Sequence, residues 1–189
     1  MTNKGFTLIE MMVAVSIFAI VMMIGVGALL SLVEANRRAQ AINSVVNNLN
    51  AALESMGRSV RTGATYHCSV LWNDVAALAV PQDCTTGGAL LAFEPAGGDR
   101  LNPADQVVYR FNPQVGQLQR STNGGADWIA LTAPEVTIED FDFYVVGASA
   151  SDDLQPRVLI RLDGSTDVAG GTPTRFKVQT TITQRIIDI

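Results

Sequence analysis

The fold of this chain is decided near its N-terminus, by the stretch Lys4-Gly5-Phe6-Thr7-Leu8-Ile9-Glu10 and by the uncharged run from Met11 to Val33 behind it. A helix needs about 20 apolar residues to cross a bilayer, and this run exceeds that length. One carboxylate, Glu10, stands at the head of the run. A charge at the centre of a membrane helix costs about 2.5–3.5 kcal/mol on insertion scales and normally marks function. Glu10 is therefore the first candidate site residue.

The same stretch closely resembles the cleavage and methylation site of type IV prepilins. That site has a short basic leader ending in glycine, followed by phenylalanine, by threonine-leucine-isoleucine-glutamate and by a hydrophobic run. The residues that match it one for one are Gly5, Phe6, Thr7, Leu8, Ile9 and Glu10. The resemblance implies that a prepilin peptidase cuts between Gly5 and Phe6 and that the new Phe6 amine is methylated. A glycine suits the scissile bond because it has no side chain to obstruct the backbone.

The resemblance also implies a role for Glu10 in assembly. In the family this carboxylate pairs with the N-terminal amine of a neighbouring subunit, which here is the Phe6 amine that cleavage creates. A buried carboxylate is costly alone and tolerable once it is paired and hydrogen-bonded. The simpler interpretation is that Glu10 is only an interfacial charge at the level of the lipid headgroups. Lys4 keeps the N-terminus in the cytoplasm, so the chain after Val33 lies outside the inner membrane.

Two other kinds of N-terminal segment also carry an apolar run, namely a secretory signal peptide and a signal anchor. A secretory signal peptide has an apolar region of about 7–15 residues and a small-residue cleavage site, and the run from Met11 to Val33 is longer than that. An ordinary signal anchor fits the length but leaves Gly5, Phe6 and Glu10 unexplained.

Beyond Val33 the helical pattern continues as an amphipathic stripe. Its apolar members recur at spacings of three and four residues and are Ala39, Ile42, Val45, Val46, Leu49, Ala52, Leu53, Met56 and Val60. We therefore predict one helix from about Phe6 to Arg61, with Gly63 suited to its end. Gly25 and Gly27 interrupt its apolar half, and close helix packing and a local weak point explain them equally well.

The rest of the chain predicts an antiparallel sheet after an irregular segment from Tyr66 to Pro95. The predicted strands begin around Asp105 and continue at Gln117–Ser121, 128–131, Val136–Val146, 157–162 and 175–187, with Ile138, Phe141 and Phe143 in the core. A helical stripe and alternating strands need each other to bury their apolar faces. The predicted fold class is α+β and pilin-like, with a long N-terminal transmembrane helix packed on an antiparallel sheet. The predicted parts are a leader (1–5), a membrane and filament-core half-helix (6–33), an amphipathic half-helix (34–62) and a globular head (63–189).

Two cysteines, Cys68 and Cys84, fall in the part of the chain that this topology exports. An oxidising compartment favours a disulfide between them, which would contribute about 2–4 kcal/mol. Two free buried thiols are the alternative. A metal site is disfavoured because His67 is the single histidine of the chain and the only further ligand nearby.

Composition and motifs argue against several functions. The net charge of −5 does not indicate nucleic-acid binding. The sequence has no phosphate-binding glycine loop, no paired cysteine clusters and no nucleophile elbow, so we expect no enzyme activity, no cofactor and no metal centre. Acidic groups at Asp152-Asp153 and at Asp163 with Asp167 could bind calcium, and solvated turns explain them as well.

The sequence therefore predicts a type IV pilin or pseudopilin subunit, processed in the inner membrane and then assembled into a periplasmic or cell-surface filament. The expected partners are the prepilin peptidase, other pilins or pseudopilins and an inner-membrane assembly platform. Weak cues in the head resemble minor pseudopilins of the J type and favour a minor subunit. The alternative is a membrane-anchored periplasmic binding or enzymatic domain that uses the helix only as an anchor.

Overall fold

A long helix followed by short strands makes up the chain. The computed structural model describes residues 5–76, 78–134, 136–149, 154–166 and 173–185. Helix α1 runs from Leu8 to Thr62. The strands within the described residues are β1 (Ala64–Ser69), β2 (Cys84–Gly88), β3 (Leu90–Glu94), β4 (Val107–Asn112), β5 (Gln117–Ser121), β6 (Ile129–Ala130), β7 (Val136–Val146), β8 (Arg157–Thr166) and β9 (Thr174–Thr183). The predicted α+β class is confirmed.

The chain divides into two compact units, with the boundary between Ala41 and Ile42. The described part of the first unit is helix from Leu8 onward, so its apolar side chains have no second element of that unit to pack against. Over the described residues, α1 is the one helix that is long and apolar enough to cross a membrane.

In the second unit, the last third of α1 packs through one face. Val45, Leu49, Ala52, Met56 and Val60 are buried there, as the predicted stripe requires. Val46 is an exception, because its side chain is 45% exposed at the flank of the stripe.

A side chain also ties this part of the helix to the sheets. The amide of Asn48 accepts a hydrogen bond from the backbone N–H of Ala133 at 3.1 Å. Asn48 therefore holds α1 to the segment that leads into β7.

The strands form two antiparallel sheets, where the sequence predicted one. The first has the order β1-β3-β4-β5-β6 and the second the order β2-β7-β8-β9. Three of these strands, β1 to β3, lie in the segment predicted to be irregular, so that prediction was wrong. The reason is visible in β3, in which every residue is buried. A strand covered on both faces has no alternation of polar and apolar residues to reveal it.

The remaining strands follow the prediction more closely. β5 and β7 have the predicted bounds, and β9 alternates between half-buried and exposed residues as expected. β8 extends past the predicted end to Thr166, and β6 is shorter than predicted. The last strand ends at Thr183, before its predicted end, and positions 186–187 of that prediction lie outside the described residues.

The main core lies between the helix stripe and the two sheets. The predicted core residues Ile138, Phe141 and Phe143 are all buried in it, and the rings of Phe141 and Phe143 meet edge to face at 4.7 Å. A second, smaller cluster covers the other face of the first sheet. Its buried members are Leu78, Leu90, Ala92 and Val108, with Trp128 packed against them.

A disulfide joins the two sheets. Cys68 belongs to β1 of the first sheet and Cys84 to β2 of the second, with a Cα–Cα distance of 5.7 Å. Both residues are buried. Gly88 passes so close that a Cβ there would come within 2.7 Å of the Cys68 sulfur, so this crossing point needs a glycine.

Candidate functional site

The candidate site lies where α1 begins. Residues 5–7 are not helical, and the helix starts at Leu8. Thr7 and Glu10 hold this first turn by reciprocal hydrogen bonds. The Thr7 backbone N–H and the Thr7 hydroxyl both donate to Glu10 Oε2, at 3.0 and 2.9 Å. The Glu10 backbone N–H in turn donates to Thr7 Oγ1 at 3.4 Å.

This pattern is a capping box. A threonine before the first turn and a glutamate three residues later satisfy each other's backbone N–H groups, which have no partner inside the helix. From the sequence alone, Glu10 is expected to lack a partner until cleavage creates the Phe6 amine. The structure shows that its own chain already supplies two donors. The signal that could have revealed this is the Thr-x-x-Glu spacing directly before an apolar run.

The two bonds from Thr7 fall on the same oxygen of the Glu10 carboxylate. Within the described part of the chain, Oε1 of that carboxylate has no hydrogen-bond donor. A carboxylate oxygen in a membrane environment gains much from a charged donor, because water does not compete there. The arrangement can therefore accept one further donor from outside without breaking the cap.

The two residues at the predicted cleavage site precede the helix. Phe6 is 78% exposed, and no atom lies within 4 Å of the position that a Cβ on Gly5 would take. A peptidase needs an accessible bond, and the two residues that flank this bond are exposed and lie outside the helix. Lys4 and the rest of the predicted leader lie outside the described residues.

The predicted weak point in the membrane half keeps its helical backbone. α1 is continuous through Gly25 and Gly27, and nothing lies within 4 Å of a Cβ placed on either residue. Both explanations of these glycines, close packing and local weakness, stay predictions.

The head offers little material for catalysis. His67 is buried, and its Nδ1 lies 2.8 Å from the carbonyl oxygen of Val80, as expected for a packed core histidine. Across the described ranges, no three His, Cys, Asp or Glu side chains form a group that could hold a metal ion. Asp163, one of the proposed calcium ligands, pairs with Lys177 at 2.8 Å instead. The other three, Asp152, Asp153 and Asp167, lie outside the described residues.

One further arrangement in the head was not foreseen. The guanidinium carbon of Arg110 lies 3.5 Å from the ring centre of Trp128 and 5.0 Å from that of Trp72. Both tryptophans of the chain thus stack on one cation. Burial lowers the pKa of Arg110. The stack fixes the connection between β1 and β2 against the outer face of the first sheet.

Comparison with known proteins bears on the N-terminus. Residues 1–26 match the model of the prokaryotic N-terminal methylation motif. No curated protein and no solved structure gives a significant match to the chain. The matched segment covers the capping box, the Gly5–Phe6 bond and the first turns of the apolar helix. This motif and the long apolar N-terminal helix are consistent with a type IV prepilin-like protein.

Proposed function

We propose that the chain is a structural subunit of a type IV pilus-like filament, without catalytic activity of its own. The observation that carries this proposal is the match to the methylation motif at residues 1–26, at the head of a helix long enough to span a membrane. The capping box supports it, because it presents the Glu10 carboxylate at the start of that helix with one oxygen free of bonds from Thr7.

The proposed processing uses the residues that precede the helix. A prepilin peptidase removes the leader (1–5) by cutting after Gly5, and the new amine of Phe6 is methylated. Residues 6–33 then hold the subunit in the inner membrane with its N-terminus on the cytoplasmic side. Residues 34–62 and the head (63–189) lie outside, where the disulfide between Cys68 and Cys84 matches an oxidising compartment.

The proposed assembly contact joins the N-termini of two neighbouring subunits. The neighbour is either a second copy of this chain or another pilin. The methylated Phe6 amine of one subunit is a cation, and Glu10 of its neighbour is the anion that receives it. The capping box orients Glu10 for this contact, since Thr7 holds one of its oxygens at the helix start. A charged pair is far more stable than either charge alone where water is excluded.

The first test is mass spectrometry of sheared, purified filaments from the native cell. We expect a peptide that begins with methylated Phe6. A trace amount beside another pilin would identify a minor subunit, and a dominant amount would identify the main subunit. A chain that is confined to membranes and still begins at Met1 while filaments form would contradict the proposal.

The second test separates a filament subunit from an anchored module. Glu10→Ala should abolish incorporation into filaments while the head stays folded, because the substitution removes the partner of the neighbouring amine and the bonds from Thr7, both at the start of α1. Glu54→Ala is the matched control, since this exposed glutamate lies on the same helix and forms an ion pair with Arg58 four residues away. A chain that reaches its location and acts equally well with Glu10→Ala would be an anchored domain.

A further inference from the structure

The connection between β3 and β4 closes over a buried cluster of polar side chains. Glu94 is the last residue of β3, and Gln106 directly precedes β4. Their exposed fractions are 3% and 0%. The Gln106 side-chain amide donates to Glu94 Oε2 at 2.7 Å. One oxygen of the Glu94 carboxylate is therefore satisfied by the protein.

Three other oxygens at this place have no donor. They are Glu94 Oε1, Gln106 Oε1 and Asp105 Oδ1, each buried and without a hydrogen-bond partner among the described residues. All three are lone-pair acceptors, so they cannot satisfy one another. Buried polar atoms in folded proteins nearly always have a partner, and an ion or a water supplies it where the protein does not.

The side chains of Glu94 and Asp105 both contact one short segment, Gly98-Asp99. Gly98 passes so close to Glu94 that any Cβ at position 98 would overlap Glu94 Oε1. The next residue, Asp99, donates its backbone N–H to Asp105 Oδ2 at 3.0 Å. The carboxylates of Glu94 and Asp105 thus meet the same dipeptide, and Gln106 is bonded to Glu94.

The charges at this place are unbalanced. Burial raises the pKa of Glu94, and the nearby carboxylates of Asp105 and Asp99 raise it further, while Arg100 acts in the opposite sense and only in part. A buried carboxylate that is not compensated destabilises the folded state. The cluster therefore favours an added positive charge.

We propose that this cluster binds a divalent cation of the calcium type, with Glu94 Oε1, Asp105 Oδ1 and Gln106 Oε1 as protein ligands. Oxygen-only ligands select hard cations over zinc or copper. Calcium accepts irregular sets of six to eight oxygens and fills the remaining positions with water or backbone carbonyls, whereas magnesium demands near-octahedral geometry. The three protein ligands are two carboxylates and one amide, so the proposed site does not require a third acidic side chain. The site does not depend on filament assembly.

Such an ion would hold the segment from Pro95 to Asp105 against the ends of β3 and β4 in the first sheet. The ion would also explain why position 98 is a glycine, because only a residue without a Cβ lets this segment approach Glu94 so closely. Sequence reasoning missed this site because it looked for neighbouring acids, and here the ligands lie on both sides of a connection between two strands.

The test uses the full-length protein in detergent micelles after treatment with a chelator. Calcium at about 100 times its dissociation constant should raise the unfolding temperature by roughly 5–10 °C. Terbium, which takes calcium sites, should luminesce on tryptophan excitation, and calcium should displace it. Trp128 is the expected donor of this energy, because a chain of contacts leads from it to the proposed ligand Gln106. Its ring lies beside Gly125, and the preceding residue, Gly124, donates its N–H to the Gln106 carbonyl at 3.0 Å.

Glu94→Gln is the decisive variant because it keeps the size of the side chain and removes the charge. We expect it to lose both the calcium-dependent shift and the terbium signal, and to unfold without metal at an equal or higher temperature than the unsubstituted chain. Glu139→Gln is the control, because Glu139 is an exposed carboxylate on the second sheet, and it should keep both responses. Calcium and terbium responses that are absent in the unsubstituted chain, or unchanged in Glu94→Gln, would overturn the proposal. Stabilisation at low pH with no effect of either metal would also overturn the proposal. It would mean that a proton on Glu94, and not a metal ion, compensates the buried oxygens that lack a donor.

Discussion

The side-chain amide of Gln184 donates a hydrogen bond to the carbonyl oxygen of Gly63 at 2.9 Å. This bond connects the residue that follows β9 to the residue that follows α1, across most of the head's sequence. The adjacent backbone adds a second link, because the N–H of Arg185 donates to the carbonyl of Arg61 at 2.8 Å. The end of the helix, where backbone carbonyls lack partners within the helix, is thus completed by the end of the chain's last described strand.

We expect Gln184→Ala to destabilise the head by about 0.5–1.5 kcal/mol, because it removes one hydrogen bond to the buried carbonyl of Gly63, which keeps the Tyr66 hydroxyl at 3.1 Å as its other donor. Chemical denaturation of the purified protein measures the loss. Gln179→Ala is the control, since Gln179 is exposed on β9 and its loss should change the free energy of unfolding by less than about 0.5 kcal/mol. Equal effects of the two substitutions would show that the bond to Gly63 contributes nothing.

Two glycines near the end of α1 should respond to alanine in opposite directions. A Cβ on Gly63 would overlap the ring of Phe93, so Gly63→Ala should destabilise the head by about 1–3 kcal/mol. A Cβ on Gly57 would meet only the side chain of Ile182, at an ordinary 3.8 Å. Gly57→Ala should therefore stabilise the helix by about 0.5–1 kcal/mol. Thermal unfolding of both variants checks the signs, and a stabilising Gly63→Ala would contradict the packing described for Phe93.

Removal of the disulfide should loosen the contact between the two sheets. Cys68→Ala with Cys84→Ala opens a loop whose ends are 16 residues apart, and about 2–4 kcal/mol of stability should be lost. Denaturant unfolding of the double variant, compared with the oxidised parent, measures this. Addition of a reductant should lower the stability of the parent and leave the double variant unchanged. A reductant effect on the double variant would mean that the loss has another cause.

The capping box predicts the behaviour of the first helical turn in micelles. Thr7→Val removes the hydroxyl that donates to Glu10 Oε2 and accepts from the Glu10 N–H, so amide exchange at residues 8–11 should become about 2- to 30-fold faster. Thr7→Ser keeps the hydroxyl and should exchange like the parent. If Thr7→Val exchanges no faster than Thr7→Ser, the hydroxyl does not cap the helix.

The pKa of Glu94 predicts how stability depends on pH in the presence of a chelator. Burial, followed by Asp105 and Asp99, raises the pKa of Glu94 above its ordinary value of 4.5, so the folded state holds this proton more tightly than the unfolded state. Stability should therefore fall as the pH rises from 4.5 through the raised value, and the loss should stay constant above it. The measurable quantity is the difference in unfolding free energy between the parent and Glu94→Gln over this range. A difference that is independent of pH would show that Glu94 has no raised pKa.

The elements that could be predicted from the sequence are those whose signal is local. The membrane helix follows from one uninterrupted apolar run, and the processing motif is contiguous from Gly5 to Glu10. β7 alternates except at a register shift between Ile138 and Asp140, because it is buried on one face, and so its bounds were predicted. Each of these signals needs no knowledge of what packs against the segment.

The parts that could not be predicted depend on partners distant in the chain. β3 is buried on both faces and shows no alternation, and the assignment of β1 and β2 to different sheets depends on which strands they meet. The cluster of Glu94, Asp105 and Gln106 is likewise assembled because the chain returns from β3 to the start of the neighbouring strand β4. Sequence alone therefore determined the helix, its N-terminal motif and the strands that have one buried and one solvent-exposed face. Tertiary structure decided the division into two sheets, the link between them and the buried acidic cluster, because pairing and burial are properties of surfaces that only meet in the folded chain.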